Sequence, residues 1–413
     1  MKFNRNIVFC FPYRGAGGVS NQFVRLAEKL SNKSEYKAYV VDYSDGFMAK
    51  NKGKNVTLIE YFDKGNVEVP RNSLLIFQAM TPWSIFPALK VHRSTFVLFW
   101  QCHPRNFVID FPFFGPRNTL FFKILFYRYF IKIKRFYDLL IRNKALVYID
   151  GVTLSATNSS LQVDDEKATI IPIPISIPDE RDVRIRNKRI TNTECMKFCW
   201  IGRISDFKYP ILIYTLKKIN ALADDFEEVF EFDIIGDGQF LNKLKDDVSS
   251  LKKVKINFLG ELSPSKVKGY LLTKPDMMFA MGTSAVEGAI LGIPVVLLNF
   301  SYKEVLGDYV YKFLHKDNNN ASVGEEINEN HILQGNISLS QCIREAIDEK
   351  DKLKGELRAY SESVHGIDSI VTKLVKHSDR VTLKWGDIQD SGVMNQGLLY
   401  RFKKFLNKIK VGI

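Results

Sequence analysis

The sequence predicts an α/β protein built as two doubly wound, Rossmann-like domains. Three observations carry that expectation. Short apolar runs alternate with amphipathic helical patterns along most of the 413 residues. The alternation stops once, near the middle, in a stretch of spaced prolines and mixed charge, and then restarts. Glycines fall directly after several of the apolar runs, where a parallel strand would hand over to a helix. Continuous apolar strands separated by helices belong to a parallel sheet covered on both faces.

Ile7–Phe11 reads as the first strand, and Val19–Leu30 as a helix with Phe23, Leu26, Ala27 and Leu30 on one face. The opening MKFNRNIVFCFPYRG is therefore read as a buried strand and not as a signal peptide: its apolar run is short, and glycines follow in place of a cleavage site. Ala38–Asp42, Leu74–Phe77, Phe96–Trp100 and Leu146–Ile149 read as further strands of a first domain, 1–175. IPIPISIPDERDVRIRNKRITNT has linker composition and sets a boundary at 176–194. A second domain, 195–375, begins with strand Phe198–Ile201 and helix Pro210–Leu222. It continues with strands Glu231–Ile235, Val254–Leu259, Met277–Met281 and Val295–Leu298. Its remaining helices are read at Phe240–Leu251, Ser263–Leu272, Ser284–Leu291, Leu339–Ile347 and Leu353–Leu374. Residues 376–413 are read as a C-terminal segment with a basic amphipathic tail.

The composition, 46% hydrophobic and 25% charged, excludes a mostly disordered protein. A net charge of +13 favours anionic partners: nucleic acid, anionic lipid or phosphorylated substrates. No charge-free run reaches the length that spans a bilayer. Cys10, Cys102, Cys195, Cys199 and Cys342 are scattered and odd in number, which reads as reduced thiols in a cytoplasmic protein. Cys195 and Cys199 have no second pair to complete a zinc site.

Two stretches carry the chemistry. WIGRISDFKYP, Trp200 to Pro210, sets Arg203 and Lys208 in the loop after an apolar run. MGTSAVEGAILGIPVV, Met281 to Val296, sets Gly282, Thr283 and Ser284 at a helix start and Glu287 one turn in. Two fixed cations and a helix N-terminus suit a diphosphate. A carboxylate nearby suits the two hydroxyls of a ribose. Together they point to a nucleotide-sugar site. Gly236-Asp237-Gly238 and Gly260-Glu261-Leu262 also follow strands, as glycine does in many α/β proteins. In the first half, Arg14-Gly15-Ala16-Gly17-Gly18-Val19 follows a strand and opens a helix, so backbone there can approach a phosphate or sugar. It is not the full dinucleotide fingerprint; Asp42 is the nearest acidic candidate for that role. His103 and Arg105, in WQCHPRNF, come directly after another apolar strand.

On these residues the chain resembles the GT-B glycosyltransferases, and within them the family-four, retaining sugar transferases of lipopolysaccharide, capsule and phosphatidylinositol mannoside synthesis. The resemblance runs from about residue 5 to 375 and is strongest in the second half. It implies two Rossmann-like domains facing across a cleft. It implies that Arg203 and Lys208 lie on the donor diphosphate, neutralising charge that grows on the leaving group, and that Glu287 lies on the donor ribose. Gly202, Gly236 and Leu262 would edge the nucleotide, with Gly282, Thr283 and Ser284 at the phosphate. Gly17 and Gly18 would face the donor from the first domain, and His103 would line the cleft near the donor sugar. Arg14 and Arg105 would serve the acceptor, Arg105 on an acceptor phosphate. In an inverting variant, His103 or Asp110 would be the first candidates for a base. The chain departs from the family at Phe279, where a second Glu is common; donor identity and retaining stereochemistry stay open there. No metal or other cofactor is expected beside the nucleotide-diphosphate-sugar co-substrate, because the cations and the helix N-terminus take the neutralising role.

Two basic, aromatic stretches remain. Leu120 to Lys144 is apolar almost all round, interrupted by Lys123, Arg128, Lys132, Lys134 and Arg135. In the tail, Leu398, Phe402, Phe405 and Ile409 form one helical stripe among basic residues. Both patterns suit an anionic bilayer surface. The expected function is transfer of a sugar to a lipid-linked saccharide, in cell-surface polysaccharide or lipopolysaccharide synthesis, at the cytoplasmic face of a membrane and without nucleic acid. A nucleotide-sugar epimerase of the same fold and a non-catalytic nucleotide-sugar-binding assembly partner are the alternatives.

Overall fold

The computed structural model describes residues 5–15, 17–107, 120–165, 167–188, 194–316, 320–327 and 337–395. Asp110 and the tail from Leu398 to Ile413 lie outside the described residues. The chain forms two compact units: one joins the chain up to Ile171 with the chain from Ile370 onward, and the other is Pro172–Ser369.

The first unit contains β1 (Asn6–Cys10), β2 (Lys37–Asp42), β3 (Thr57–Glu60), β4 (Val67–Glu68), β5 (Ser73–Gln78), β6 (Leu89–Lys90), β7 (Phe96–Gln101) and β8 (Leu146–Tyr148). Six of them form one parallel sheet in the order β3-β2-β1-β5-β7-β8, while β4 and β6 pair separately. The winding reverses between β1 and β5, the switch point beside which doubly wound folds bind ligands, at the carboxyl ends of the strands. The strand residues face helices on both sides, so they read as unbroken apolar runs. Phe23 of the helix Gly18–Ser31 meets Phe9 at 5.2 Å and Trp100 at 6.4 Å between ring centroids. Phe136 of the helix Leu120–Arg142 meets Phe99 edge-on at 5.2 Å. Each such side chain, fully buried, contributes about 1.5–3 kcal/mol.

The described part of the C-terminal segment belongs to this unit and does not stand apart from it. Val97 N–H donates to the Leu383 carbonyl at 3.0 Å, and the Trp385 ring lies 6.3 Å from Phe77. His377 Nε2 bonds the Lys144 carbonyl at 2.9 Å; burial holds this imidazole down at about 4, so it is neutral at physiological pH.

The second unit contains β9 (Cys195–Ile201), β10 (Val229–Ile235), β11 (Val254–Gly260), β12 (Met277–Ala280), β13 (Val295–Leu297) and β14 (Lys312–Phe313). Their order is β11-β10-β9-β12-β13-β14, parallel except for β14, which runs antiparallel to β13. The winding again reverses beside the first strand, here between β9 and β12. Phe198 packs edge-on against Phe230 and Phe279 in the core, and Phe232 stacks on Phe279 at 5.9 Å and 20°.

Two expectations are corrected in this unit. The stretch read as a linker holds a helix, Glu180–Asn187, capped by the Asp179 carboxylate on Asp182 N–H at 2.8 Å. Its buried residues are charged: Asp182 pairs with Lys268 at 2.6 Å, and Arg186 donates to the Leu271 carbonyl at 3.3 Å. The single helix expected over Leu353–Leu374 is two, Lys350–His365 and Ile367–Ser378. Ile175 bridges the break at Gly366: its N–H donates to the His365 carbonyl, and its carbonyl accepts from Ile367 N–H.

Candidate functional site

In the second unit, the loops after β9 and β12 leave neighbouring strands on either side of the switch point, since Met277 and Met278 pair with Phe198 and Cys199. The first loop is Gly202 to Lys208. Trp200 Nε1 donates to the Gly202 carbonyl at 3.2 Å, and Gly202 N–H donates to the Ile235 carbonyl at 2.9 Å. Gly236 must be glycine: at φ +137° any Cβ would overlap the Gly202 carbonyl oxygen. The β9 and β10 loops are thus locked back to back, and Ile204 N–H bonds the Asp237 carbonyl at 2.9 Å.

This scaffold holds Lys208 in a half-buried position at the start of the helix Tyr209–Leu222. Its ammonium folds over Gly202, 3.4 Å from where a Cβ would stand, and lies 5.8 Å from the Trp200 ring and 5.9 Å from the Phe207 ring. Among the described residues, neither Lys208 nor the exposed Arg203 has a carboxylate partner. Burial, and then the like charge of Arg203, push the Lys208 ammonium down from its ordinary 10.5 to about 8. Such a pair of cations is completed by an anion that replaces lost hydration and cancels the repulsion.

The second loop is Gly282, in left-handed backbone at φ +66°, which opens the helix Thr283–Ile290 without any side-chain cap. Gly282 N–H is taken by the Val323 carbonyl at 2.7 Å, and Ser284 Oγ donates to the Met281 carbonyl at 3.1 Å. The first-turn amides of Thr283 and Ser284 carry the helix's positive end. Glu287 is half-buried one turn further on. Gly260, left-handed at φ +68°, accepts at its carbonyl from Gly236 N–H at 2.8 Å, and Leu262 beyond it is half-buried. Phe279, the residue in place of the family's other Glu, is fully buried in the core and presents nothing at the strand ends.

The first unit carries a separate cluster, described by itself. Arg14 is exposed and engaged: its Nε donates to both Asp45 carboxylate oxygens at 3.1 Å, and its guanidinium stacks on Tyr43 at 3.8 Å. Asp42 is fully buried, and its carboxylate accepts from Tyr13, Tyr43, Met48 and Ala49 N–H groups, which uses it as a structural brace and leaves it no role toward a ribose. Gly17, in extended backbone, precedes Gly18 at the start of the helix Gly18–Ser31, again without a side-chain cap. His103 is half-buried just past β7, with Nδ1 accepting from Arg105 N–H at 3.1 Å, which leaves the proton on Nε2. Burial, and then Arg105, push its pKa down, so the imidazole is neutral at physiological pH. Asn106 closes the turn by accepting from His103 N–H at 2.9 Å.

Two contributors went unread in the sequence. Ser205, between the two cations, has a buried hydroxyl with no hydrogen-bond partner among the described residues; its place inside the GRIS motif was the available signal. The Val323–Glu325 segment lies along the ends of β12 and β13 through Gly282 and Phe300 N–H groups, and no sequence pattern marks it. Among the described residues, no three His, Cys, Asp or Glu side chains gather as metal ligands, and no helix is long and apolar enough to cross a membrane.

Known structures share this architecture. A glycosyltransferase from Rickettsia africae superposes with a TM-score of 0.56 at 14% identity, over 91% of this chain and 98% of that one. Anabaena Alr3699/HepE, solved with UDP and glucose, gives a TM-score of 0.53 at 12% identity, over 91% and 99%. AviGT4, a glycosyltransferase of avilamycin A biosynthesis, gives 0.50 at 11%, over 91% and 97%. At these identities the likeness is one of fold, and the fold is GT-B: two Rossmann-like units in one chain. No family model and no curated relative matches the sequence.

Proposed function

We propose that the protein is a glycosyltransferase that moves a sugar from a nucleoside-diphosphate donor to a saccharide acceptor, lipid-linked and destined for a cell-surface polysaccharide or lipopolysaccharide. The observation that carries this reading is the pair Arg203 and Lys208, without a carboxylate partner among the described residues, at the switch point of the second unit. The diphosphate of the donor binds these cations and the first-turn amides of Thr283 and Ser284. Glu287 accepts from the ribose hydroxyls, and Gly236 and Leu262 edge the base. As the bond from the sugar to the diphosphate breaks, charge accumulates on the departing phosphate oxygens, where preorganised cations lower the barrier most. Lys208 is suited to that step because its charge is only partly solvated before the anion arrives. His103 and Arg105 serve the sugar and acceptor side. That HepE was solved with UDP and glucose supports a donor of the same chemical class.

A panel of nucleoside diphosphates and their sugars, read by thermal stabilisation, tests the reading. At a hundred times Kd a true ligand adds about 2.7 kcal/mol to stability. Stabilisation by one nucleoside diphosphate, followed by its release only when a saccharide acceptor is added, is expected. No stabilisation by any member refutes donor binding, and formation of a new free nucleotide sugar without acceptor replaces transfer by epimerisation.

A further inference from the structure

The helix Thr283–Ile290 of the second unit has the candidate donor loop at its start and a cavity of about 210 Å³ at its other end. Thr283 and Ile290 stand about 10 Å apart along the helix axis, so the cavity is separate from the first-turn amides. It lies between this helix, the helix Glu180–Asn187 and the helix Lys350–His365. Val183, Ile290 and Leu291 give it an apolar wall, and Arg186, Lys354 and Arg358 bring it three cations. Arg186 is only 8% exposed, so its charge is held in the protein interior, where Nη1 donates to the Leu271 carbonyl at 3.3 Å. Lys354 is half-buried and its stem packs on Gly292, whose left-handed backbone at φ +71° carries no side chain to block it. Its Nζ crosses from one helix to another and donates to Asn187 Oδ1, a neutral acceptor. Arg358 is half-buried, with Nε donating to Glu362 Oε1 at 2.8 Å. Asp182, which also lines the cavity, is neutralised by Lys268 at 2.6 Å.

Arg186, Lys268, Lys354 and Arg358 thus stand against two carboxylates, Asp182 and Glu362, which leaves a surplus of two positive charges. Two helices, Glu180–Asn187 and Thr283–Ile290, end at the cavity, and the carbonyl end of a helix carries roughly half a negative charge. Together those ends offset about one of the two surplus charges and leave the rest for an anion. We propose that this cavity binds the phosphate group of a small phosphorylated molecule. Two guanidinium groups present planar forks that suit phosphate oxygens, the ammonium adds a point charge, and a weakly hydrated guanidinium such as that of Arg186 tolerates burial. Val183, Ile290 and Leu291 face the carbon skeleton attached to the phosphate. The site uses none of the donor-loop residues and stands independently of the proposed transfer.

The test is calorimetric titration of the full chain carrying Arg203→Ala/Lys208→Ala, which takes the donor cations out of the measurement. The probes are glycerol 3-phosphate, inorganic phosphate and glycerol. Both phosphates are expected to bind at one site, the ester at least as tightly as the free ion, and glycerol is not. Adding Lys354→Met/Arg358→Met should weaken phosphate binding by about a hundredfold or more, because two charged hydrogen-bond donors are lost. Adding the charge-keeping pair Lys354→Arg/Arg358→Lys should retain binding, which separates a lost ligand contact from a disturbed fold. On the otherwise native chain, Lys354→Met/Arg358→Met should leave nucleoside diphosphate affinity unchanged. Absence of nucleoside diphosphate binding in the wild type would count against the donor site and leave the phosphate result standing. Phosphate binding that is equal with and without Lys354→Met/Arg358→Met overturns the inference. So does the absence of any phosphate binding in the Arg203→Ala/Lys208→Ala chain, and a preference for the free ion over the ester removes the phosphorylated molecule as its ligand.

Discussion

Each unit places a cation in the loop after its first strand, and the two loops are wired in opposite ways. In the first unit Arg14 sits on Asp45 and on the Tyr43 ring, and Asp42 beneath it is saturated by four backbone N–H groups. In the second, Arg203 and Lys208 have no carboxylate among the described residues, and Lys208 is held half-buried with its charge disfavoured. The sheets share one winding order, so topology does not make the difference. What differs is whether the fold supplies the counter-charge itself. An internally neutralised loop is architecture; a loop with uncompensated charge stores an attraction for an anion.

Substitution sharpens the contrast most strongly. Arg203→Ala and Lys208→Ala should each lower turnover by about two orders of magnitude or more, the usual consequence of removing a preorganised charge from a developing anion. Steady-state donor consumption by the purified variants checks this, and near wild-type rates in both would remove these residues from the chemistry. Glu287→Ala should weaken nucleoside diphosphate binding by about 1–3 kcal/mol, roughly five- to 150-fold, because two ribose hydroxyls lose their acceptor. Calorimetric titration decides, and unchanged affinity means that the carboxylate serves another group.

Acidity separates the loops next. Lys208 at about 8 is neutral in the free protein above that pH, so diphosphate affinity should fall as pH rises through about 8, by up to tenfold per unit. Stability runs the other way. The unfolded lysine keeps its proton up to its ordinary 10.5, so the unfolded chain binds more protons between about 8 and 10.5. Stability of the free protein should therefore gain a rising component across that window, absent in Lys208→Met. A pH titration of chemical denaturation on both proteins shows whether the component exists. The smallest effect belongs to the first loop: Arg14→Ala removes an exposed ion pair worth about 0–1 kcal/mol and should leave diphosphate affinity within about fivefold.

Much of this was legible in the sequence because buried parallel strands are unbroken apolar runs. Phe198–Ile201, Leu74–Phe77 and Met277–Met281 announced themselves in that way, as did the glycines that follow β10 and β12. The parts that were not legible depend on partners far along the chain. Glu180–Asn187 looked like a linker because the side chains it buries are Asp182 and Arg186, whose partners Lys268 and Leu271 no local pattern reveals. The break at Gly366 is fixed by Ile175, far away along the chain, and within Leu353–Leu374 the glycine itself was the local sign of it. The same holds at the candidate site. Arg14 and Arg203 look alike in sequence, and only the presence of Asp45 beside one of them tells them apart.

The most direct test of the account is a titration at neutral pH of whichever nucleoside diphosphate stabilises the wild type most. The wild type, Arg14→Ala and the double variant Arg203→Ala/Lys208→Ala are compared side by side. The account predicts binding to the first two with similar affinity and no measurable binding to the third. Binding to the double variant at wild-type affinity, or an equal loss in Arg14→Ala, would contradict it.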